Sequence, residues 1–290
     1  NRGAWREGRD YATQRLGFQD RLVMVEKLDA HSMVAWSSAL LGDLEEADRV
    51  SSKGMAQIQP GQVPSWALHL LAWRIYTLTL LGRWDEALAA GERARQLWLE
   101  AGRPSAGYSI RGFVSVIDVA RAREDRETRE THTAILEEIA MAFQEDAPAR
   151  LVLGYGRTDL DAIEHALLRG ATQPGQPEGI ERFLSVLLDH DRIPPVGVLS
   201  GVLASASRRE FPILEAQVRR GIGLHTADRA ELGRSLDLLE RAGAIPYVAR
   251  VRCERGLITG DRPELEAGLA ILERLGDIDQ LGRFQRRSIG

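Results

Sequence analysis

The sequence has a single cysteine, Cys253, so no disulfide can form within the chain of 290 residues. Such sparse cysteine usage is typical of proteins in a reducing compartment. No signal-peptide pattern stands at the start, and the uncharged stretch 194–207 is too short, and too rich in glycine and serine, to span a bilayer. We therefore expect a cytoplasmic protein. Because Asn1 leads directly into a helix-like pattern, we also expect a piece of a longer polypeptide.

Lysine is almost absent from the sequence. Lys27 and Lys53 are the only two, so 36 of the 38 basic residues are arginines. Two explanations stay open: the base composition of the genome, or a cluster of arginines that binds an anion through paired hydrogen bonds. The formal net charge of −4 argues against general nucleic-acid binding, which requires a clustered basic face.

Motifs for nucleotide, metal or hydrolytic chemistry are missing. The glycine pairs at 154–156 and 221–223 lack both the third glycine and the Lys-Ser or Lys-Thr pair of phosphate-binding loops. No histidine belongs to an HExxH motif, and no Gly-x-Ser-x-Gly turn is present. The groups Asp161/His165 and 189–191 supply too few ligands for a metal, so a surface salt bridge or a helix cap is expected there. The sequence predicts no catalytic, cofactor-binding or metal-binding residues.

Cys253 allows two interpretations. Three charged neighbours, two of them arginines, could lower the pKa of its thiol and make it reactive. Its position on an amphipathic helix instead favours a small core residue.

Two repeated patterns are the most informative feature that the sequence does contain. Leu-Gly-Asp-Leu-Glu-Glu-Ala at 41–47 returns as Leu-Gly-Arg-Trp-Asp-Glu-Ala at 81–87, 40 residues further on. The segment 238–245 returns at 271–278, 33 residues further on. Repeats of this length are typical of stacked helical hairpins.

The spacing of apolar residues predicts helices between short breaks. Asp43 and Ser65 are expected to cap two of them, and Pro60 and Pro64 are expected to end the helix that begins at 44. The pairs Ala47/Gly54 and Ala87/Ala94 place small residues seven apart, as closely packed helices require. The predicted helices are 33–41, 44–58, 66–81, 85–100, 105–122, 126–143, 159–168, 181–188, 228–242, 247–258 and 264–275.

All six tryptophans lie within residues 1–98 of the chain. Core and inter-repeat packing is one interpretation, because aromatic side chains bury large areas. The other is a groove lined by the first helices of successive hairpins, which would bind a peptide helix or a small ligand. For that groove, His69, Trp73 and Tyr76 are the candidate binding residues.

The hairpins resemble tetratricopeptide repeats. Gly42, Leu44, Ala47, Gly54 and Pro60 match the turn, the small residues and the exit proline of that signature, as do Gly82, Trp84, Ala87, Ala94 and Pro104. The chain departs from the signature at Ile75, where a small residue is usual, in its 40-residue spacing, and over 154–207.

More broadly, the chain is similar to the helical-repeat arms of large bacterial signalling proteins. The segments 80–87, 101–104 and 272–276 carry that likeness. Such arms are joined to a class III nucleotide cyclase or a DNA-binding regulator, together with a signal-transduction ATPase module. The resemblance implies regulation of an attached module and carries over no catalytic residue, although the parent polypeptide could be an enzyme.

We therefore predict an all-α protein, an α-solenoid of antiparallel hairpins. Residues 1–150 form tetratricopeptide-like hairpins, 151–210 an irregular helical segment with a Gly/Pro loop at 170–179, and 211–290 C-terminal hairpins. The expected function is non-catalytic binding of a protein, peptide or small ligand and regulation of an attached signalling module, without direct nucleic-acid or membrane contact. The alternative is a free-standing adaptor for peptides or protein partners.

Overall fold

The computed structural model describes residues 4–59, 62–105, 107–141, 157–170 and 177–289. These residues form fifteen α-helices and two short 3₁₀ turns, with no strand among them. The all-α class predicted from the sequence is therefore confirmed. The helices are α1 Trp5–Leu16, α2 Met24–Leu40, α3 Leu44–Met55, α4 Pro64–Leu80, α5 Trp84–Glu100, α6 Ile110–Ala122, α7 Arg126–Met141, α8 Leu160–Gly170, α9 Pro177–Asp189, α10 Val196–Arg208, α11 Pro212–Thr226, α12 Arg229–Ala242, α13 Ile245–Thr259, α14 Arg262–Leu275 and α15 Ile278–Ile289.

Neighbouring helices pack against each other in pairs, as in a helical-repeat solenoid. Small residues allow the close approach: Ala47 and Ala87 have no exposed surface. A Cβ added at Gly54 would lie 2.5 Å from Cδ2 of Leu70, so no side chain fits between α3 and α4 there.

The turns that end α2 and α4 contain Gly42 and Gly82, whose φ angles of +80° and +72° are favourable only for glycine. Two predicted caps are wrong. The side chain of Asp43 stands at the N-cap but makes no capping hydrogen bond; it accepts from Arg9 instead. Ser65 lies inside α4, which begins one residue earlier at Pro64.

Helices α8, α9 and α10 contain most of the described residues in the middle of the chain. Helix α9 begins at Pro177, so the predicted loop ends before 177 and not at 179. Proline is favoured in the first turn because its fixed φ suits a helix and its missing N–H would have no partner there. Residues 171–176 of that loop, residues 142–143 of the predicted helix 126–143, and Pro60 lie outside the described residues.

The two repeated patterns meet each other. A Cβ added at Gly42 would lie 2.6 Å from Cγ of Pro212 and 3.4 Å from Cβ of Ala242. A Cβ added at Gly82 would lie 3.3 Å from Cβ of Ile245 and 2.9 Å from Cδ2 of Leu275. Ile245 follows Pro212 by 33 residues, and Leu275 follows Ala242 by the same number.

A third contact between turns of the two repeated patterns is polar. Arg123 follows α6 and donates through Nε and Nη2 to the carbonyl oxygen of Leu275, at 3.3 and 3.2 Å. Its Nη1 donates to Asp85 at 2.6 Å, and its guanidinium lies over the ring of Trp84. We call helices α1–α7 the first array, α11–α15 the second array, and these turn-to-turn contacts the seam.

The largest apolar core joins the first array to the helices that follow it. Ile75 of α4 and Val114 and Ile117 of α6 belong to the same buried cluster as Leu184 of α9 and Leu199 of α10. The face of the first array that could have formed an open groove at these positions is thus covered by the chain itself.

Candidate functional site

The structure brings two of the three predicted groove residues together, but inside the protein. Trp73 is fully buried, and Tyr76 is 2% exposed; their rings meet edge to face with centroids 5.7 Å apart. Trp73 stacks on Trp36, and the guanidinium of Arg111 lies 4.0 Å from the centre of its ring. Neither Trp73 nor Tyr76 offers surface to a ligand in this arrangement. At these two positions the aromatic side chains pack in the core.

His69 lies apart from that pair, between Trp66 and Tyr108, with ring centroids 5.8 and 5.3 Å away. It is partly exposed. Burial, and secondarily the positive charge of Arg111, lower the pKa of His69 to about 4, so its imidazole is neutral at pH 7. Its role in binding stays a prediction.

A polar cleft lies where α4, α6, α9, α13 and α15 meet. It encloses about 40 Å³, room for a few water molecules or the end of one side chain. Pockets that enclose drug-sized ligands measure roughly 300–1,000 Å³. Its ionisable lining residues are Asp118, Arg121, Arg182, Asp189, His190, Tyr247, Arg250, Asp277 and Asp279.

One wall of the cleft is built on a fully buried arginine, Arg220 of α11. Its Nε and Nη2 donate to the two carboxylate oxygens of Glu254 at 2.8 and 2.7 Å, and Nη2 also donates to Asp189 at 2.7 Å. Burial alone would raise the pKa of Asp189, but Arg250 and Arg220 together hold it below its usual value. The ion pairs therefore tie α9 to α11 and α13.

Arg250 extends this network toward the last helix. It donates to Asp189 at 2.7 Å and to Asp277 at 3.2 Å. Asp277 also caps α15, because its Oδ1 accepts from the backbone N–H of Gln280 at 3.1 Å. Burial raises the pKa of Asp277 despite the neighbouring Arg250.

The opposite wall joins α9 to the first array. Arg182 of α9 forms an ion pair with Asp118 of α6, and its guanidinium lies over the ring of Tyr76. The carboxylate of Glu181 accepts hydrogen bonds from Tyr76 of α4, at 3.2 Å, and from Tyr247 of α13. Helix α9 is thus the element through which the two arrays are held together at the cleft.

The charged side chains of the cleft connect neighbouring helices to one another. Its arginines donate to carboxylates of the protein itself, so this arginine cluster binds internal anions. No three His, Cys, Asp or Glu side chains within the described ranges are grouped so that they could hold a metal ion.

The remaining candidates have structural roles where they are described. Asp161 pairs with Arg192 at 2.6 Å, the predicted surface salt bridge, while His165 is exposed. Burial raises the pKa of Cys253 to about 12, and the side chain packs in the core. The segment 221–223 is part of α11, and 154–156 lies outside the described residues.

Sequence reasoning missed Glu181, Arg220 and Glu254, buried residues that lie behind the lining of the cleft. Arg220 and Glu254 are 34 residues apart, and local spacing carries no signal for such a pair. The surface salt bridge or helix cap expected at Asp189 is wrong, because this side chain is buried and accepts from Arg220 and Arg250.

No family model matches the sequence, and a search of curated proteins finds no match. Among the described helices, none has the length and apolarity needed to cross a membrane.

Proposed function

We propose that this chain is a non-catalytic, cytoplasmic helical-repeat region that binds a protein or peptide partner and regulates a signalling module attached to it. The attached module would be a nucleotide cyclase or a transcription regulator with an ATPase, as the tetratricopeptide-like pattern of bacterial signalling arms suggests. The observation that supports the proposal is the cleft, whose charged side chains bond to one another across helices of both arrays.

The small cleft favours a partner recognised on the surface over an enclosed nucleotide. The space of about 40 Å³ would admit one polar side-chain end. Binding regulates an attached module only if the partner has different affinities for two arrangements of the arm. The seam and the cleft are the contacts whose rearrangement would distinguish two such arrangements.

The test is a substitution at the seam in the complete polypeptide. Arg123→Ala removes the hydrogen bonds to Leu275 and Asp85 and the contact of the guanidinium with the ring of Trp84. We expect the basal activity of the attached module to change. The matched control is Arg126→Ala, three residues further on, whose only recorded ion pair is with Glu130 of the same helix. Equal activity of both variants and the wild type would contradict the proposal, as would cyclase or ATPase turnover by the isolated chain.

A free-standing adaptor is the second candidate. It is favoured by four large apolar side chains that are exposed within α1 and around the start of α2: Tyr11, Phe18, Val23 and Val25. Exposed apolar groups that lie together often mark protein-binding surfaces. Reading the gene upstream of Asn1 separates the two candidates, since an ATPase loop there favours regulation of an attached module and a nearby start codon favours the adaptor.

A further inference from the structure

Glu181 is the only residue in the described structure whose carboxylate accepts from two tyrosine hydroxyls. Tyr76 comes from the first array and Tyr247 from the second, so this one side chain links α4, α9 and α13. Glu181 is 1% exposed. A carboxylate removed from water in this way costs free energy when it is ionised, unless donors or cations compensate.

The groups around Glu181 compensate only in part. The charge of Arg182, next to it on α9, is shared with Asp118 of α6, which itself repels the Glu181 carboxylate. From α13, Arg250 donates to Asp189 and Asp277 and not to Glu181. From α4, Tyr76 is the group that faces Glu181. Arg220 of α11 donates to Asp189, at the other end of α9.

One residue connects this buried group to the cleft. Tyr247 lines the cleft and donates directly to the carboxylate of Glu181. Burial, only partly offset by Arg182 and Tyr247, raises the pKa of Glu181 to about 7.

We propose that Glu181 is a proton-dependent latch: protonation of its carboxyl group favours the arrangement in which α9 joins the two arrays, and deprotonation favours release of that contact. The latch goes beyond the proposed function, because it concerns the contact between the arrays whatever partner the chain serves.

The direction follows from linkage. The pKa of Glu181 is raised in the joined state, so that state binds more protons than a state in which the side chain is in water. Raising the pH from 5 to 8 therefore weakens the joined state. The closing equilibrium should fall by about tenfold to a hundredfold over this interval.

Three histidines act in the opposite direction. Burial lowers the pKa values of His31, His69 and His132, so the folded state disfavours their protonation and becomes more stable as the pH rises. A comparison of the wild type with Glu181→Gln cancels their contribution, because that change removes only the carboxyl proton equilibrium.

The experiment is amide hydrogen exchange of the full chain between pH 5 and 8, with protection corrected for the intrinsic exchange rate. We expect protection of α9 in the wild type, relative to Glu181→Gln at the same pH, to fall by about tenfold or more as the pH rises. A wild type whose protection follows that of Glu181→Gln at every pH would overturn the proposal.

A second set of variants keeps the test decisive if Glu181→Gln does not fold. Tyr247→Phe removes one donor to the carboxylate, so the midpoint of the pH dependence should move to higher pH. The matched control is Tyr11→Phe, at an exposed tyrosine, which should leave the midpoint unchanged. The latch is refuted if the midpoint of Tyr247→Phe equals that of Tyr11→Phe.

Discussion

Replacing Arg220 by methionine should destabilise the protein strongly, since this arginine is buried among charges. Arg220 has no exposed surface, and Glu254, its bidentate partner, is 2% exposed. With Arg220→Met, Asp189 keeps its ion pair with Arg250, whereas Glu254 loses its ion pair with Arg220. Removing one partner of a buried ion pair costs about 3–5 kcal/mol, a large part of the roughly 5–15 kcal/mol by which folded proteins are stable.

The neighbouring residue supplies the control. Arg219 lies on the same helix and pairs with Glu215 and Glu231 in a partly exposed position. Arg219→Met should cost only about 0–1 kcal/mol, the usual value for ion pairs near the surface. Urea unfolding of both variants, followed by circular dichroism at pH 7, measures the difference in the free energy of unfolding.

A further measurement tests the cause. The double variant Arg220→Met, Glu254→Met removes the orphaned charge and should recover about 1–3 kcal/mol of the loss. A loss under 1 kcal/mol for Arg220→Met, or equal losses for both arginine variants, would refute this reasoning.

Three other predictions concern packing, the thiol and a cap. Gly91→Ala should lower the free energy of unfolding in urea by about 1–3 kcal/mol, because a Cβ there would lie 2.4 Å from Cγ2 of buried Val116. The control Gly201→Ala has no neighbour within 4 Å of the added Cβ and should be neutral or stabilise the protein by up to about 1 kcal/mol. The thiol of Cys253, with its pKa raised to about 12, should react with a thiol reagent at pH 8 only when denaturant is added; rapid labelling of the folded chain would contradict its burial. Asp261→Ala removes the cap whose side chain accepts from the N–H of Glu264 and should lower thermal stability by about 1 kcal/mol; an unchanged melting temperature would rule out a stabilising cap.

Local features could be predicted from the sequence, because they depend on neighbours along the chain. Gly42 and Gly82 ended helices as expected, and Ala47 and Ala87 packed as the hairpin pattern required. Trp73 is predicted from the sequence as a groove residue, whereas the structure buries it with the guanidinium of Arg111 over its ring. Arg111 is 38 residues away, and the spacing of aromatic residues is the same for an open groove and for one that the chain itself fills.

The cleft could not be predicted, for the same physical reason. Its central contacts join residues that are far apart, such as Tyr76 with Glu181. Arg123 shows the limit most clearly: in the sequence it belongs to a charged turn that would suit solvent, yet it donates to the carbonyl of Leu275 in the second array. A charged side chain looks the same in the sequence whether it faces water or a distant backbone group.

The seam joins two series of turns that are spaced differently along the chain. One repeat advances 40 residues between Gly42 and Gly82, while the other advances 33 between Pro212 and Ile245, yet both arrive at matching contacts. The turns of the two arrays therefore match hairpin by hairpin, although the hairpins differ in their number of residues. Lengthening a helix end or a loop away from the seam should preserve the match, whereas deleting one whole hairpin from either array would leave a turn facing no counterpart.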